Sequence, residues 1–514
     1  MSADHASVAM APGRLAPLER LAARIEGLPV PAWMLAVWFL GLISVREGLE
    51  QVFFEKAFGL HLFYHHAFFF LVALAAGTLI LSAWARTDVV RTARIVAAGY
   101  VLIIAPPLLD HLVWRRAQGY RYATPAGFLK KAATLFWNES GTGKGIIIMG
   151  AAILVLAAVY TLLKTRSPWR AVGAALSLYA VSAACATPRL LLPLPRMGVP
   201  GVYEGRHAMF FGAYLVLFLA IGTAGLAVHR SGLVRAAALD ALSFRAAHFA
   251  LMAAAGVSFN AGIRGRPFPG LIFGATAVLV AVLGWVVTVL WNNAFDLGID
   301  RHATGRVRGL VRGWATPDEY RRLAEGLAVL VLFTSGVLGA KCFVAVGLAL
   351  LCAQAYSAPP LRLRLRLGSH IIIGWGSFLT FYVGYFAWTT VAVWPLERTP
   401  VVLSLVIFAA LSLGSVTKDA KDYQGDLEAG ARTVFTVFGP ERGGLIAAAC
   451  LFASLLTPLA LFSGPIDLLV FPLIAAAAAL GFATTRALGV AFGAYGAAVA
   501  FAAARAAGFI GGTP

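Results

Sequence analysis

Two groups of residues rich in Asp, the first and second acidic groups, lie far apart in the chain and have the spacing of a helix face. The members are Asn292, Asp296 and Asp300 in the first group, and Asp419, Asp422 and Asp426 in the second. Residues three or four positions apart lie on the same side of a helix, so each group shares one face. Carboxylates this close repel one another and are costly near lipid unless a cation joins them. Two such faces suit a divalent metal ion that holds a diphosphate.

Basic and aromatic residues flank both acidic groups. They are Arg306, Arg308 and Arg312 after the first group, the segment 356–364 (YSAPPLRLR) in a later loop, and Lys418 and Lys421 beside the second group. Carboxylates alone favour a simple cation site, whereas carboxylates with several basic groups favour a polyanion bridged by metal. Two plainer interpretations remain open, because Arg362, Arg364 and Arg366 alternate with Leu like lipid-facing anchors, and Tyr356 suits a membrane interface.

The composition is that of a polytopic membrane protein. Hydrophobic residues make up 60% of the 514 residues, charged residues 13%, and the mean hydropathy is +0.81. Strand-like alternation is absent, so we expect an all-α protein whose helices span the bilayer. The net charge of +19 is attributed to loops that face anionic lipid or phosphorylated substrates, not to nucleic-acid binding. The four Cys residues lie in apolar runs and are read as core residues.

The apolar runs predict six helices, a linker and nine further helices. Residues 1–230 form the six-helix N-terminal region, with a first helix that is retained and not cleaved as a signal peptide; 231–244 form a basic cytoplasmic linker, and 245–514 form the nine-helix domain. The expected spans are 30–45, 62–85, 94–113, 146–163, 171–187, 207–229, 245–262, 270–294, 323–338, 342–357, 370–393, 399–418, 442–462, 466–484 and 488–509.

The basic loops predict the orientation of these helices. With the N-terminus in the cytoplasm, most Lys- and Arg-rich loops fall inside, and so do both acidic groups. Loop 114–145 is the exception, since its basic residues fall outside; a miscounted span or an amphipathic surface helix around Gly127–Trp137 would explain it. We expect a multi-pass protein of the bacterial inner membrane with its site on the cytoplasmic side.

A separate set of polar residues occurs in the N-terminal region. Its members are His61, His65, His66, Asp110, His111, Glu204 and His207. His61 and His65 lie at i and i+4, which can present two imidazoles to a metal or a haem. Structural, partner-binding or substrate-presenting roles are the favoured interpretations.

The motifs of residues 245–510 resemble those of the UbiA-type intramembrane prenyltransferases. The resemblance is carried by Asn292-Asn293-x-x-Asp296-x-x-x-Asp300, by the stretch from Tyr356 to Arg364, and by Asp419-x-x-Asp422-x-x-Gly425-Asp426. Nine spans also agree with that family. The sequence departs from the family pattern at Asn293, where Asp is usual, and at Arg308-Gly309, where Arg-Pro is usual.

The resemblance implies prenyl transfer from a polyprenyl diphosphate held by Mg²⁺, or by Mn²⁺ in its place. The implied metal ligands are Asp296, Asp300, Asp419, Asp422 and Asp426, of which all but Asp419 are also the implied catalytic residues. The implied diphosphate-binding residues are Asn292, Arg308, Tyr356, Arg362, Arg364 and Lys418. The resemblance implies that the acceptor is a lipophilic aromatic molecule of the quinone or tetrapyrrole type and that membrane lipid surrounds the protein.

Two alternative functions stay open. In the first, the acceptor is a phosphorylated sugar or glycerol, whose phosphate would bind Arg301, Arg306, Arg308 and Arg312. In the second, the protein is a transporter with the carboxylates as an ion site. That function predicts acidic groups near mid-membrane on broken helices, whereas these lie at predicted span ends beside basic loops.

Overall fold

The fold consists of helices in two compact units, Met1–His229 and Arg230–Pro514. The computed structural model describes residues 16–54, 59–114, 127–134, 143–187, 202–263, 271–301, 307–387 and 398–506. Ten helical stretches among these residues are long and apolar enough to cross a membrane, or up to eleven with one bent pair. The prediction of an all-α, polytopic membrane protein is therefore confirmed.

The described helices of the first unit overlap its six predicted spans. They are α1 (Ala16–Glu26), α2 (Ala32–Phe54), α3 (Leu60–Ala85), α4 (Val89–Gly99), α5 (Ala105–Leu112), α6 (Phe128–Ala133), α7 (Lys144–Thr165), α8 (Pro168–Cys185) and α9 (Val202–His229). Helices α1 and α6 correspond to no predicted span, and the predicted span 94–113 is divided between α4 and α5. Asp88 precedes helix α4 and caps it, because its carboxylate accepts the N–H groups of Val90 and Arg91. Helix α6 lies in the segment for which a surface helix is one of the expectations.

The second unit contains the longer bundle. Its described helices are α10 (Ser231–Ala241), α11 (Phe244–Ile263), α12 (Leu271–Asp300), α13 (Pro317–Ser335), α14 (Ala340–Ser357), α15 (Ser369–Phe386), α16 (Arg398–Gly414), α17 (Asp419–Glu428), α18 (Val434–Leu456), α19 (Pro465–Thr485) and α20 (Leu488–Ala506). Buried side chains of α18, α19 and α20, including Phe435, Leu451, Phe471 and Phe482, form one apolar core. This core supports the helices that carry the second acidic group.

Small residues allow two helices of the bundle to approach closely. Gly256 of α11 and Gly384 of α15 face each other, and a Cβ atom at either position would collide with the backbone of the opposite helix. Close backbone contact between glycines is a common way for membrane helices to associate. The contact fixes the register of α11 against α15.

The predicted linker 231–244 is mostly helical. Leu233 and Ala236 of α10 are buried, and the carbonyl of Ala241 accepts the indole N–H of Trp285 at 3.0 Å. Leu233, Ala236 and Asp240 have helical spacing and share one face. Because this face packs in the second unit, α10 is an element of the bundle and not a free connector.

Candidate active site

A cavity of about 580 Å³ in the second unit is lined by members of both acidic groups. These are Asn292 and Asp300 at the end of α12, and Asp419, Asp422 and Asp426 on α17. A one-turn 3₁₀ helix, Ser415–Lys418, separates α16 from α17. The helices therefore bring the two distant segments of sequence to one place.

Arg364 joins the two acidic groups directly. Its guanidinium bonds to Asp296 and lies 3.5 Å from Oδ1 of Asp426. Burial alone would lower the pKa of Arg364, but the charges of Asp296 and Asp426 hold that pKa above its ordinary value. The arginine therefore stays charged and neutralises one carboxylate of each group.

Asp296 is fully buried behind the cavity wall, with 0% of its side chain exposed. Besides Arg364, it faces Arg362, whose Nη2 lies 3.4 Å from its Oδ1. The same Nη2 donates to the carbonyl of Phe295 at 2.9 Å. This carboxylate, expected to be a metal ligand, is thus held by two arginines, whereas its neighbour Asp300 lines the cavity.

The loop that supplies both arginines has an unusual backbone. Arg362 has φ of 38°, in the left-handed region that costs a non-glycine residue about 1–2 kcal/mol. The loop is anchored by the N–H of Arg432, which donates to the carbonyl of Leu365 at 2.8 Å. Such strain persists where the surroundings over-determine the conformation, and it is concentrated at functional sites.

A second network fixes Arg308. Its Nε lies 3.0 Å from Oδ1 of Asp300, and its Nη1 donates to the amide oxygen of Asn293. The Asn293 amide nitrogen donates to Asp240 at 2.9 Å, and Asp240 also accepts from the Tyr320 hydroxyl at 2.9 Å. Asn293 therefore connects the Asp240 carboxylate to Arg308, and these bonds require its amide to carry both a donor and an acceptor.

Gly309 completes this network. Its N–H donates to Oδ1 of Asp240 at 3.1 Å, and a Cβ atom here would lie 2.6 Å from the Cα of Ala236. A proline has no N–H to donate. The departures at Asn293 and Gly309 thus have one structural explanation, since both residues bond to Asp240.

Further cations border the cavity. Lys418 donates to the Tyr356 hydroxyl, and its Nζ lies 5.0 Å from the Tyr356 ring centroid. Lys421 lies 3.8 Å from Asp422, and Arg245 of α11 also lines the cavity. The described part of the site contains six carboxylates (Asp240, Asp296, Asp300, Asp419, Asp422 and Asp426) and six cations (Arg245, Arg308, Arg362, Arg364, Lys418 and Lys421).

This donor set fits a divalent metal. Several carboxylate oxygens and the Asn292 amide line one cavity, and hard cations such as Mg²⁺ bind oxygen ligands. Burial raises the pKa of Asp300 to about 6; the charges of Asp296 and Asp422 act in the same direction, and Arg308 opposes them. Equal numbers of fixed anions and cations suit a metal–diphosphate complex, whose own charges largely cancel.

Apolar and aromatic side chains form the rest of the cavity. Examples are Phe249 of α11, Val280 and Trp285 of α12, Ile373 of α15 and Phe492 of α20. A charged region continuous with an apolar one matches a ligand that has a polar head and a hydrocarbon tail.

The arginines considered for a second phosphate do not all meet. Arg308 lines the cavity, whereas the guanidinium of Arg312 lies 4.9 Å from the Trp314 ring, and Arg301 is exposed. Arg306 lies outside the described residues.

In the first unit, three of the predicted histidines take part in two separate contacts. Nδ1 of His65 lies 2.9 Å from Nδ1 of His207, and Nδ1 of His66 lies 2.9 Å from Glu47. Glu47, Glu50 and His66 form the group of potential metal ligands in the described residues, with ligand atoms within 4.8 Å of one another. Arg46 already pairs with both carboxylates, at 2.8 and 2.6 Å.

The remaining members of that predicted set lie elsewhere. The carboxylate of Asp110 accepts the N–H of Gly145 at 2.8 Å, and the His111 ring stacks on Phe53 at 4.3 Å. The side chain of Glu204 lies outside the described residues. Sequence reasoning missed Arg46, Glu47 and Glu50, because a polar segment at the end of an apolar run looks like a span boundary.

Comparison with known proteins gives a family match for the second unit. Residues 246–491 match the UbiA prenyltransferase family. No curated protein matches the chain.

Several solved structures are similar to about half of the chain. A UbiA homolog from Archaeoglobus fulgidus bound to DMAPP and Mg²⁺ is 19% identical, with 52% of this chain and 96% of that chain covered and a TM-score of 0.40. The same homolog bound to GPP and Mg²⁺ is 18% identical, with 52% of this chain and 97% of that chain covered and a TM-score of 0.40. A structure from work on digeranylgeranylglyceryl phosphate synthase in membranes is 15% identical, with 52% of this chain and 93% of that chain covered and a TM-score of 0.38.

Proposed function

We propose, from the membership of residues 246–491 in the UbiA prenyltransferase family, that this protein transfers a prenyl group from a polyprenyl diphosphate to a lipophilic aromatic acceptor. The observation that carries the proposal is the convergence of both acidic groups on one cavity that continues into an apolar region. The charged end binds the diphosphate with Mg²⁺, and the apolar region holds the hydrocarbon chain.

The residues divide into metal ligands and diphosphate-binding groups. Asp300, Asp419, Asp422 and Asp426, with the Asn292 amide oxygen, would hold Mg²⁺. Arg308, Arg364, Lys418 and Tyr356 would bind oxygens of the diphosphate. Asp296 holds Arg362 and Arg364 in position.

The reaction begins with cleavage of the allylic C–O bond, whose electron pair leaves with the diphosphate. Mg²⁺, when bound, would supply positive charge that neutralises this leaving group. A carbon of the electron-rich acceptor then donates an electron pair to the prenyl carbon, and the ring afterwards loses a proton. Apolar walls around Val280 and Ile373 exclude the water that would otherwise capture the intermediate.

The proposal includes the setting of the site. The basic loops support an orientation with the cavity at the cytoplasmic side of a bacterial inner membrane. Residues 1–230 would form an N-terminal transmembrane region joined to the catalytic domain 245–514.

The test is a transfer assay with the full-length protein in membranes. Labelled geranylgeranyl or longer diphosphates are added with Mg²⁺, and the product is identified by mass spectrometry. We expect Asp422→Asn to lower turnover at least about 100-fold, because one metal ligand loses its charge. Asp422 is suitable because its side chain is 22% exposed, so its replacement is tolerated better than that of Asp296.

Asp318→Asn is the matched control. Asp318 is also a carboxylate near an arginine, but its side chain is 64% exposed, and it does not belong to the cavity lining. Wild-type turnover in Asp422→Asn, or full turnover in EDTA, would contradict the metal–diphosphate proposal.

A further inference from the structure

A chain of hydrogen bonds leads from α10 to the guanidinium of Arg308. The Asp240 carboxylate accepts from the Asn293 amide nitrogen at 2.9 Å, and the amide oxygen of Asn293 accepts from Nη1 of Arg308. All three residues line the cavity. Asp240 lies before residue 246, where the family match begins. Neither the family match nor the proposed reaction therefore assigns a role to Asp240.

Asp240 differs from the carboxylates that are proposed to hold the metal. Its Oδ2 accepts from the Asn293 amide and from the Tyr320 hydroxyl, each at 2.9 Å, and its Oδ1 accepts from the Gly309 N–H at 3.1 Å. Donors of the protein thus engage both oxygens, whereas a metal ligand must direct an oxygen at the ion. These bonds suit Asp240 to hold its neighbours in place.

The charge of Asp240 determines which way the Asn293 amide points. An ionised carboxylate only accepts hydrogen bonds, so the amide presents its NH₂ group to Asp240 and its oxygen to Arg308. The guanidinium only donates, so it needs that oxygen. With the amide reversed, two donors would face each other at Arg308. Asp240 therefore selects the amide orientation that holds the arginine.

Two contacts fix the plane of the Arg308 guanidinium. Its Nε lies 3.0 Å from Oδ1 of Asp300, and its Nη1 donates to Asn293. Because Asp300 is also a proposed metal ligand, its contact with Arg308 competes with metal binding. Asn293 is not one of the proposed ligands, so its bond to Arg308 has no such competitor. This bond can keep the remaining N–H groups of Arg308 directed at a bound diphosphate.

We propose that Asp240 is a positioning residue for the diphosphate end of the site and that it acts through Asn293 on Arg308. Arg308 contacts the diphosphate, whereas Asp240 and Asn293 set the direction of its guanidinium. This inference rests on the proposed function and extends it to a residue outside the family-matched segment. The carboxylate that is usual at position 293 is replaced by one from α10, which acts through the Asn293 amide.

The test measures affinity for geranylgeranyl thiodiphosphate, in which sulfur replaces the bridging oxygen and slows cleavage. Calorimetry with the full-length protein in detergent and Mg²⁺ gives a readout that needs neither turnover nor an acceptor. We expect Arg308→Gln to weaken binding about 30-fold, because charge-assisted hydrogen bonds to the diphosphate are lost.

Asp240→Asn is the isosteric variant of the positioning residue. Whichever way the new amide turns, its NH₂ group meets either the Gly309 N–H or the NH₂ group of Asn293. We expect binding to weaken about fivefold, which is the effect of about one hydrogen bond. Asn293→Ala breaks the same link from its other side and should give a similar loss; it decides the question if Asp240→Asn does not fold.

A double-mutant cycle separates positioning from a structural role. Because Asp240 acts through Arg308, we expect Asp240→Asn to weaken binding by less than about twofold when Arg308→Gln is already present. Asn293→Ala should show the same dependence on Arg308. A role in local folding alone would give the same loss of affinity with or without the arginine.

Arg235→Gln is the matched control on α10. Arg235 is exposed and does not belong to the cavity lining, so its replacement should leave the affinity within about twofold of the wild-type value. A loss equal to that of Asp240→Asn would show that any change in α10 disturbs the site.

Two further results would overturn the inference while the proposed function stands. They are an unchanged affinity in Asp240→Asn or Asn293→Ala, and a fivefold loss that persists in the Arg308→Gln background. Failure of the wild-type protein to bind the thiodiphosphate would instead refute the proposed function itself, and with it the role given to Arg308.

Discussion

Two charged clusters, one in each unit, bury charge in different ways. In the first unit, the side chains of Arg46, Glu47 and Glu50 are 3%, 5% and 8% exposed, and they pair with one another. In the second unit, the side chains of Lys421 and Asp422 are 37% and 22% exposed and border a cavity. The first arrangement matches each buried charge internally, whereas the second leaves charged groups accessible to a ligand.

The difference teaches how to separate structural from functional charge. Removing one member of a closed buried pair leaves the other unpaired, so the effect falls on folding. A carboxylate at a cavity is matched by what binds there, so the effect falls on turnover. A cluster of potential metal ligands around Glu47 is therefore weaker support for chemistry than the carboxylates of α17.

The substitution with the largest expected effect breaks the buried charged cluster of Arg46, Glu47, Glu50 and His66 in the first unit. Glu47→Ala leaves Arg46 and His66 each without one partner, and we expect a loss of about 3–5 kcal/mol in stability. Thermal unfolding in detergent measures it. Turnover per folded molecule should stay near the wild-type value; a large fall in turnover with unchanged stability would show that the first unit takes part in catalysis.

The next effect concerns the link between the acidic groups. Arg364→Lys keeps the charge but loses the planar fork that contacts Asp296 and Asp426 together. We expect prenyl transfer to fall about 100-fold, or about 2.7 kcal/mol, with steady-state kinetics as the measurement. Arg366→Lys, in the same loop at an exposed position, is the control and should behave as wild type.

A smaller effect tests the departure from the family pattern. Asn293→Asp places a carboxylate against Asp240, and like charges at this distance should lower stability by about 1–2 kcal/mol and turnover several-fold. In the double variant with Asp240→Asn, the amide of residue 240 can donate to the carboxylate of residue 293. The double variant should therefore recover much of the lost stability and turnover. Additive losses in a double-mutant cycle would contradict the bond between these residues.

The smallest effect is expected for an exposed ion pair, which gives the baseline for the other substitutions. Arg321→Gln removes an exposed ion pair with Asp318. The side chain of Arg321 is 45% exposed and that of Asp318 is 64% exposed. We expect the free energy of unfolding, measured by thermal unfolding, to change by less than about 0.5 kcal/mol. Turnover should not change. A change comparable to that of Arg364→Lys would mean that exposure does not distinguish the two kinds of charge.

The sequence predicted the fold class and the segments that line the cavity, because helical spacing is a local property. Asp300 and Asp422 could be recognised from residues three or four positions away. Asp240 was missed, since its segment was interpreted as a linker, although Leu233, Ala236 and Asp240 already have the spacing of one helix face. A polar residue on the apolar face of a short helix was the available signal.

Contacts between distant helices could not be predicted. His248 and Tyr495 come from the first and last long helices of the second unit, and nothing local to either residue indicates its partner. The burial of Asp296 behind two arginines depends in the same way on the loop after α14. One sequence shows which residues are able to do chemistry, but packing decides which of them face the cavity.

The bridge made by Arg364 has a consequence for the resting enzyme. Because one guanidinium contacts both Asp296 and Asp426, the protein's own charges hold the two acidic segments beside each other. An incoming donor then meets a scaffold that is already assembled, and little of its binding energy is needed to order the protein.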